Sequence, residues 1–284
     1  MMKKKEETGG LRGPLDMLCA ALLFSTGGVL CKGIPWGALA INGARSLIAA
    51  AVIGLYLAAR HHRVVLNRYT VFGAICYTGV TSLFVAANKL TTAANAIVLQ
   101  YAAPVWIIVM MYLFFRQKPG KRELAAVAAV LAGIACFFFD SLSAGNMLGN
   151  ILAVLSGIFF AGLFILNSFP EGDTLSALLL GQLVSGLALT PLVSGETDFS
   201  APVLLAVLAL GLFQVGLAYI FFSEGTARTH PVTASLVCTI EPILNPILTA
   251  LILGETVTPL SAVGAAIVVV SVLAYNIAKA DKNA

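Results

Sequence analysis

The feature that most constrains this chain is a succession of ten apolar runs, each about the 20 residues that a helix needs to cross a bilayer core ~30 Å thick. They cover residues 15–31, 36–59, 69–87, 93–115, 123–139, 147–166, 175–193, 203–222, 232–253 and 259–277. In lipid every amide and carbonyl must be satisfied within the protein, so runs of this length fold as helices. The segments between them are too short and scattered for a separate soluble domain. Only 11% of the side chains are charged and 59% are hydrophobic, where a soluble domain carries about 25% charged residues. The expected fold is therefore an all-α integral membrane protein with ten transmembrane helices.

The placement of charge gives the expected orientation. Cytoplasmic loops of membrane proteins are enriched in Lys and Arg. In a ten-span chain with its N-terminus inside, Lys3, Lys4, Lys5, Arg12, Arg60, Arg63, Arg68, Arg116, Lys118, Lys121, Arg122, Arg228, Lys279 and Lys282 all fall on the cytoplasmic side. Lys32 and Lys89 fall outside, and Arg45 lies within a span. Removing one span would carry the Arg116–Arg122 cluster or the C-terminal tail to the wrong face. The expected localisation is thus a multi-pass cell-membrane protein with both termini cytoplasmic. The first run could also be the core of a signal peptide, but Cys31-Lys32-Gly33-Ile34-Pro35 offers no small-x-small cleavage site, so it reads as a retained helix. The net charge of +4 is accounted for by this asymmetry and implies no nucleic-acid partner. The five cysteines, Cys19, Cys31, Cys76, Cys136 and Cys238, occur singly and without a C-x-x-C pair, so they read as small core residues.

The Ser-, Gly- and Asn-rich stretch 140–146 divides the runs into five and five. The expected organisation is a tail at 1–13, a first five-helix repeat at 14–140, a second at 147–278 and a tail at 279–284. Because five is odd, two similar halves enter the membrane from opposite sides, as inverted repeats. Placing the fourth run on the ninth at an offset of 138 aligns Thr91 with Thr229, Ala96 with Ala234, Pro104 with Pro242 and Leu113 with Leu251.

Ionisable groups inside a span cost about 2.5–3.5 kcal/mol on insertion scales and face a cavity or a partner. Arg45 shares a helix face with Asn42 and Ser46. Glu241 opens Glu241-Pro242-Ile243-Leu244-Asn245-Pro246. Pro242 and Pro246 each lack an amide donor, so the carbonyls of Cys238 and Pro242 are expected to lose their helical partners. Two readings of Glu241 stand: a wall of a translocation cavity, with proton coupling as its narrower form, or a structural group bonded to a neighbouring helix. Arg45 reads either as a carboxylate anchor or as a structural partner of Glu241 or of helix-end carbonyls. Further polar stripes run along Tyr77, Thr81 and Asn88; Asn95, Gln100 and Tyr101; Gln182 and Ser185; and Gln214 and Tyr219. Such stripes serve as helix contacts or cavity walls, and their spread over many spans favours a wet interior. The substrate-binding candidates are Asn42, Arg45, Tyr77, Thr81, Asn88, Gln100, Tyr101, Gln214, Tyr219, Glu241 and Asn245. Pro104, Pro242 and Pro246 are the candidate helix-break or gating positions. Lys89, and Glu224 with Arg228, read as solvated or snorkelling span ends. The fifth and tenth runs, almost wholly small and aliphatic, are expected to face lipid or a second copy of the chain.

Neither a phosphate loop nor the H-E-x-x-H and G-x-S-x-G motifs occur. The expected chain is not an enzyme and carries no metal or cofactor. His61, His62 and His230 fall in expected loops, and Glu171/Asp173 and Glu196/Asp198 read as solvated turns.

The runs Ala86-Ala87-Asn88-Lys89-Leu90-Thr91-Thr92-Ala93-Ala94-Asn95-Ala96 before Pro104, Ala234-Ser235-Leu236 before Glu241-Pro242, and Leu253-Gly254-Glu255 resemble the EamA-type branch of the drug/metabolite transporter superfamily. In place of the family's Gly-Glu after the fourth span stands Arg116-Gln117. The resemblance implies a secondary carrier, usually an exporter of amino acids, drugs or other small metabolites, with a central cavity between inverted halves. The positions that match its motifs are Pro104, Glu241, Pro242 and Glu255, the last read as an interfacial residue. The expected partners are a small-molecule substrate, the lipid bilayer, protons or a counter-substrate, and a second copy of the chain in a homodimer. The competing readings are an intramembrane enzyme or a lipid-translocating protein, and third a channel.

Overall fold

The computed structural model describes residues 11–91, 93–137, 139, 146–253 and 258–283. The first half comprises α1 (Arg12–Ser25), α2 (Gly27–Lys32), α3 (Ala38–Ala59), α4 (Arg68–Leu90), α5 (Ala93–Gln100), α6 (Ala103–Phe115) and α7 (Lys121–Phe137). The second comprises α8 (Met147–Ile165), α9 (Thr174–Leu189), α10 (Ala201–Ala209), α11 (Ala218–Arg228), α12 (Pro231–Cys238), α13 (Glu241–Leu253) and α14 (Pro259–Asn283). No strand occurs among the described residues. Seven segments of the described chain are long and apolar enough to cross a membrane: Arg12–Cys31, Ala38–Ala59, Arg68–Ala87, Ala96–Phe115, Met147–Ser168, Thr174–Gly195 and Ala201–Arg228. The fifth, ninth and tenth apolar runs form α7, the pair α12–α13, and α14. The protein is an all-helical, multi-pass membrane protein.

Local sequence explains where several helices start and stop. Asn67 caps α4: its Oδ1 accepts from the amides of Tyr69 (2.8 Å) and Thr70 (2.9 Å), and the Thr70 hydroxyl oxygen accepts the Asn67 amide (2.9 Å), a reciprocal capping box. Asn146 caps α8 through the Leu148 amide (2.9 Å). At the end of α6, Arg116 takes a left-handed conformation with φ 56°, and its amide closes the last turn on Tyr112.

Three irregularities interrupt the spans. The fourth run breaks at Tyr101-Ala102 between α5 and α6, just before the candidate break Pro104, and the ninth breaks at Thr239-Ile240 between α12 and α13. In each case a proline follows as the second residue of the next helix, Pro104 in α6 and Pro242 in α13. A proline has no amide to offer the carbonyl four residues earlier, which is Gln100 in one span and Cys238 in the other, the last residue of the preceding helix. The chain tightens into three-residue turns at both places, Ala102 to Leu99 (3.3 Å) and Ile240 to Val237 (3.2 Å). The helix α13 runs on through Pro246, whose missing amide leaves the Pro242 carbonyl without its usual helical donor but does not interrupt the helix. The third irregularity was not foreseen: residues Leu210–Leu217 of the eighth span are wound as a π-helix, a form that concentrates at functional sites.

Contacts at the helix ends sort into two groups. At one end Asp16 meets Arg228, Tyr56 meets Glu224, Asn167 meets Thr226, His62 meets Asp173, and Arg122 reaches the Ala278 carbonyl. This basic end also holds His230 and Glu123, 3.7 Å apart. At the opposite end Trp36 Nε1 donates to the Asp198 carbonyl (2.7 Å), the Gly37 amide donates to Glu196 Oε1 (2.8 Å), and Thr91 donates to Asn150 (2.8 Å). Of the acidic loop pairs, Asp173 and Glu196 tie neighbouring loops through their carboxylates, while Glu171 is exposed and the Asp198 carboxylate bonds within its own turn. The Ser200 amide donates to Asp198 (2.9 Å) and holds that carboxyl below its ordinary value. The helix α7 packs along α14, while Leu124, Val263, Val270, Leu273 and Ile277 point outward.

Candidate functional site

The two helix breaks meet at a cavity of about 130 Å³, room for several water molecules. It lies among α1, α3, α4, the α5/α6 break, α8, the π-helical turn with the start of α11, and Glu241 at the α12/α13 break. Each break contributes a polar group: the Tyr101 hydroxyl donates to Glu241 Oε2. Gln100, the last residue of α5, is buried and donates through Nε2 to the Ser156 hydroxyl (2.7 Å), which donates to the Val80 carbonyl (3.0 Å). Gly157 explains how α8 comes so near, since a Cβ there would sit 2.7 Å from the Gln100 carbonyl oxygen.

Arg45 enters the same cavity from α3. Its Nε and Nη2 donate to Asn42 Oδ1 (3.1 and 2.8 Å), and Nη1 donates to Gln214 Oε1 on the π-helical turn (3.3 Å). Both acceptors are neutral, and among the described residues Arg45 forms no ion pair. The sequence option of a direct Arg45–Glu241 pair is not what forms. The two charges share one chamber, and Tyr219 lies within electrostatic reach of both. Tyr219 stands edge-on to Tyr77 (5.2 Å between centroids) and to Phe24 (4.9 Å). A chamber with a basic and an acidic side chain at separate points on an aromatic wall can orient a small polar or amphiphilic solute.

Eight of the residues singled out from sequence line this cavity: Arg45, Tyr77, Thr81, Gln100, Tyr101, Gln214, Tyr219 and Glu241. Asn42 stands behind Arg45 rather than on the wall. The side chains of Asn88, Lys89, Asn95, Asn245 and Pro246, and the whole of Glu255, lie outside the described residues. Gln182 and Ser185 are buried, and the Tyr77 hydroxyl faces Gln182 and Ser46, so that stripe is a contact between helices. Sequence reasoning missed Phe24, Val80, Phe84, Phe160 and Val215, which complete the wall, and Ser156, which anchors Gln100. An apolar side chain in an apolar run carries no mark of which way it faces.

Comparison with known proteins agrees with this architecture. The profile of the EamA-like transporter family matches twice, over residues 11–139 and 147–277. The chain belongs to the EamA-like transporter family. Among EamA-type relatives, the uncharacterized inner membrane transporter YicL of Salmonella typhimurium is 24% identical, with 92% of this chain and 94% of that protein covered. The uncharacterized transporter YwfM of Bacillus subtilis is 25% identical, covering 93% of each. An uncharacterized transporter of Clostridium kluyveri is 23% identical, again over 93% of each. A crystal structure of a protein at 19% identity superposes with a TM-score of 0.80 over 95% of this chain and 98% of that one, which shows a shared fold. The EamA chain is a membrane transporter, as its family and the names of its relatives indicate.

Proposed function

We propose that this protein is a secondary active transporter that exports small metabolites, such as amino acids or drug-like compounds, across the cytoplasmic membrane by alternating access. It crosses the membrane ten times as two inverted five-helix repeats, residues 14–140 and 147–278, with both tails cytoplasmic. The two family matches, the equal spacing of the helix breaks and the gathering of basic residues at one end support that organisation. The observation that carries the functional reading is the cavity at the meeting of the two breaks. Discontinuous helices around a site near the midplane are a recurring construction of carriers. Here Arg45 and Glu241 face one chamber without neutralising each other. Arg45 takes an anionic or hydrogen-bond-accepting group of the substrate, Glu241 with Tyr101 takes a cationic or donor group, and the aromatic wall takes the apolar body.

Reconstituted liposomes test this directly. A panel of amino acids and cationic, neutral and anionic drug-like compounds is expected to include at least one that gives saturable flux and counterflow. Flux of that compound weakens in Arg45→Ala and Glu241→Gln. A panel without saturable flux overturns the carrier reading. If protons are the coupled ion, Glu241→Gln abolishes the pH dependence of flux while the protein stays folded; undiminished proton-driven uptake in that variant removes Glu241 from the coupling.

A further inference from the structure

On its basic side the cavity is backed by two layers, the first of which shares residues with the cavity wall. The first is aromatic: Phe24, Phe160, Phe164, Tyr219 and Phe222 stack and cross with centroids 4.9–6.5 Å apart. Phe164 and Phe222 have 1% and 0% of their surface exposed. The second layer is ionic and lies closer to the end. Arg228 on α11 pairs with Asp16 on α1 (3.0 Å) and with Glu224 one turn back (2.5 Å). The other oxygen of Glu224 accepts the Tyr56 hydroxyl from α3 (2.9 Å). One guanidinium and one carboxylate thus tie three helices together. Glu224 and Arg228, read from the sequence as solvated or snorkelling span ends, keep part of that exposure and are joined in this network. The helix α1 lies so close to α11 that a Cβ on Gly225 would sit 2.5 Å from the Met17 sulfur and 3.0 Å from its amide nitrogen.

We propose that Asp16, Tyr56, Glu224 and Arg228 form the gate that closes the cavity toward the basic, cytoplasmic end, with the seam between α1 and α11 as the part that opens. This rests on the transporter reading and names the residues that decide which side of the membrane the site sees. The network is suited to the task. Its charged side chains keep 17–29% of their surface exposed, and ion pairs at a solvent-facing rim are weak enough to exchange for water. At the opposite end the ties described join loops and helix ends. Every residue of α12 from Pro231 to Cys238, and Thr239 after it, is buried.

Cys238 is a native reporter of this closure. It is fully buried, lies about 10 Å along the helix axis from the start of α12, and sits within electrostatic reach of Glu241. The experiment uses full-length protein whose other four cysteines are replaced by alanine, in membrane vesicles of both orientations. The probe is the membrane-impermeant thiol reagent 2-sulfonatoethyl methanethiosulfonate. Cys238 is expected to react slowly from the basic side, at least about tenfold faster there in Arg228→Met, and no faster from the other side. Exchanging the charges, Asp16→Arg with Arg228→Asp, is expected to restore slow labelling. An unchanged rate in folded Arg228→Met, or an equal rise from both sides, overturns the gate. If Arg228→Met fails to fold, Tyr56→Phe replaces it, with a two- to threefold rise expected on the basic side and an unchanged rate overturning the proposal. Labelling needs no substrate, so failure of the gate and failure of the carrier reading are told apart: the first leaves saturable flux intact, the second leaves sidedness intact.

Discussion

The two broken spans share a backbone and differ in chemistry. Both breaks come at the same distance before a proline, and both leave the carbonyl of the preceding helix's last residue without its usual donor. The first break is neutral. Gln100 is anchored on Ser156, and its carbonyl is packed against Gly157, so the break is held rigidly against α8. The second carries the carboxylate of Glu241, which Tyr101 of the first break reaches across to bond. One break is thus a fixed support and the other holds the group that can respond to a ligand. A proline pattern alone makes the discontinuity; the residue beside it decides its use.

Four measurements break or sharpen that contrast. The largest expected effect is at the responsive break: Glu241→Gln loses contacts to a charged group worth about 1.5–3 kcal/mol, which slows saturable flux ten- to hundredfold while detergent-purified protein keeps its melting temperature. Unimpaired flux would make the two breaks equivalent. At the rigid break the loss is of stability instead. Gly157→Val drives a side chain into the Gln100 carbonyl, and overpacking of this kind costs about 1–3 kcal/mol, read as a lower melting temperature; a silent substitution would mean that α8 does not hold the break. Gln100→Leu leaves the Ser156 hydroxyl without its buried donor, for about 1 kcal/mol or a little more, again in stability more than in flux. Tyr101→Phe has the smallest effect. It removes one hydroxyl between the breaks and is expected to lower flux severalfold with little change in melting. If Tyr101→Phe matches Glu241→Gln in size, the tyrosine, not the carboxylate, is the group that responds.

How much of this was legible depended on the kind of signal. The spans were readable because desolvating a backbone in lipid leaves only long apolar helices as an answer. Pro242 announced the second break in the right place, since a missing amide is a local fact. Pro246 removes an amide in the same way, yet α13 continues through it. Arg45 and Glu241 stood out because ionisable groups are rare inside spans. The π-helical turn at Leu210–Leu217 had no signature in its Leu, Gly, Phe, Gln and Val residues, and nothing in the chain around Asp16 pairs it with Arg228, 212 residues away, until α11 lies beside α1.

The sequence by itself determined that the chain lives in a membrane, where its apolar spans run, on which end its basic residues collect, and which few polar groups are expensive enough to need a purpose. Those follow from transfer free energies that each segment meets on its own. Only the tertiary structure decided that Arg45 is held by neutral amides and does not pair with Glu241, that Tyr101 and Glu241 join two breaks, and that Arg228 ties α1 to α11. These are relations between helices distant in sequence, and they are fixed by packing, which no single segment encodes.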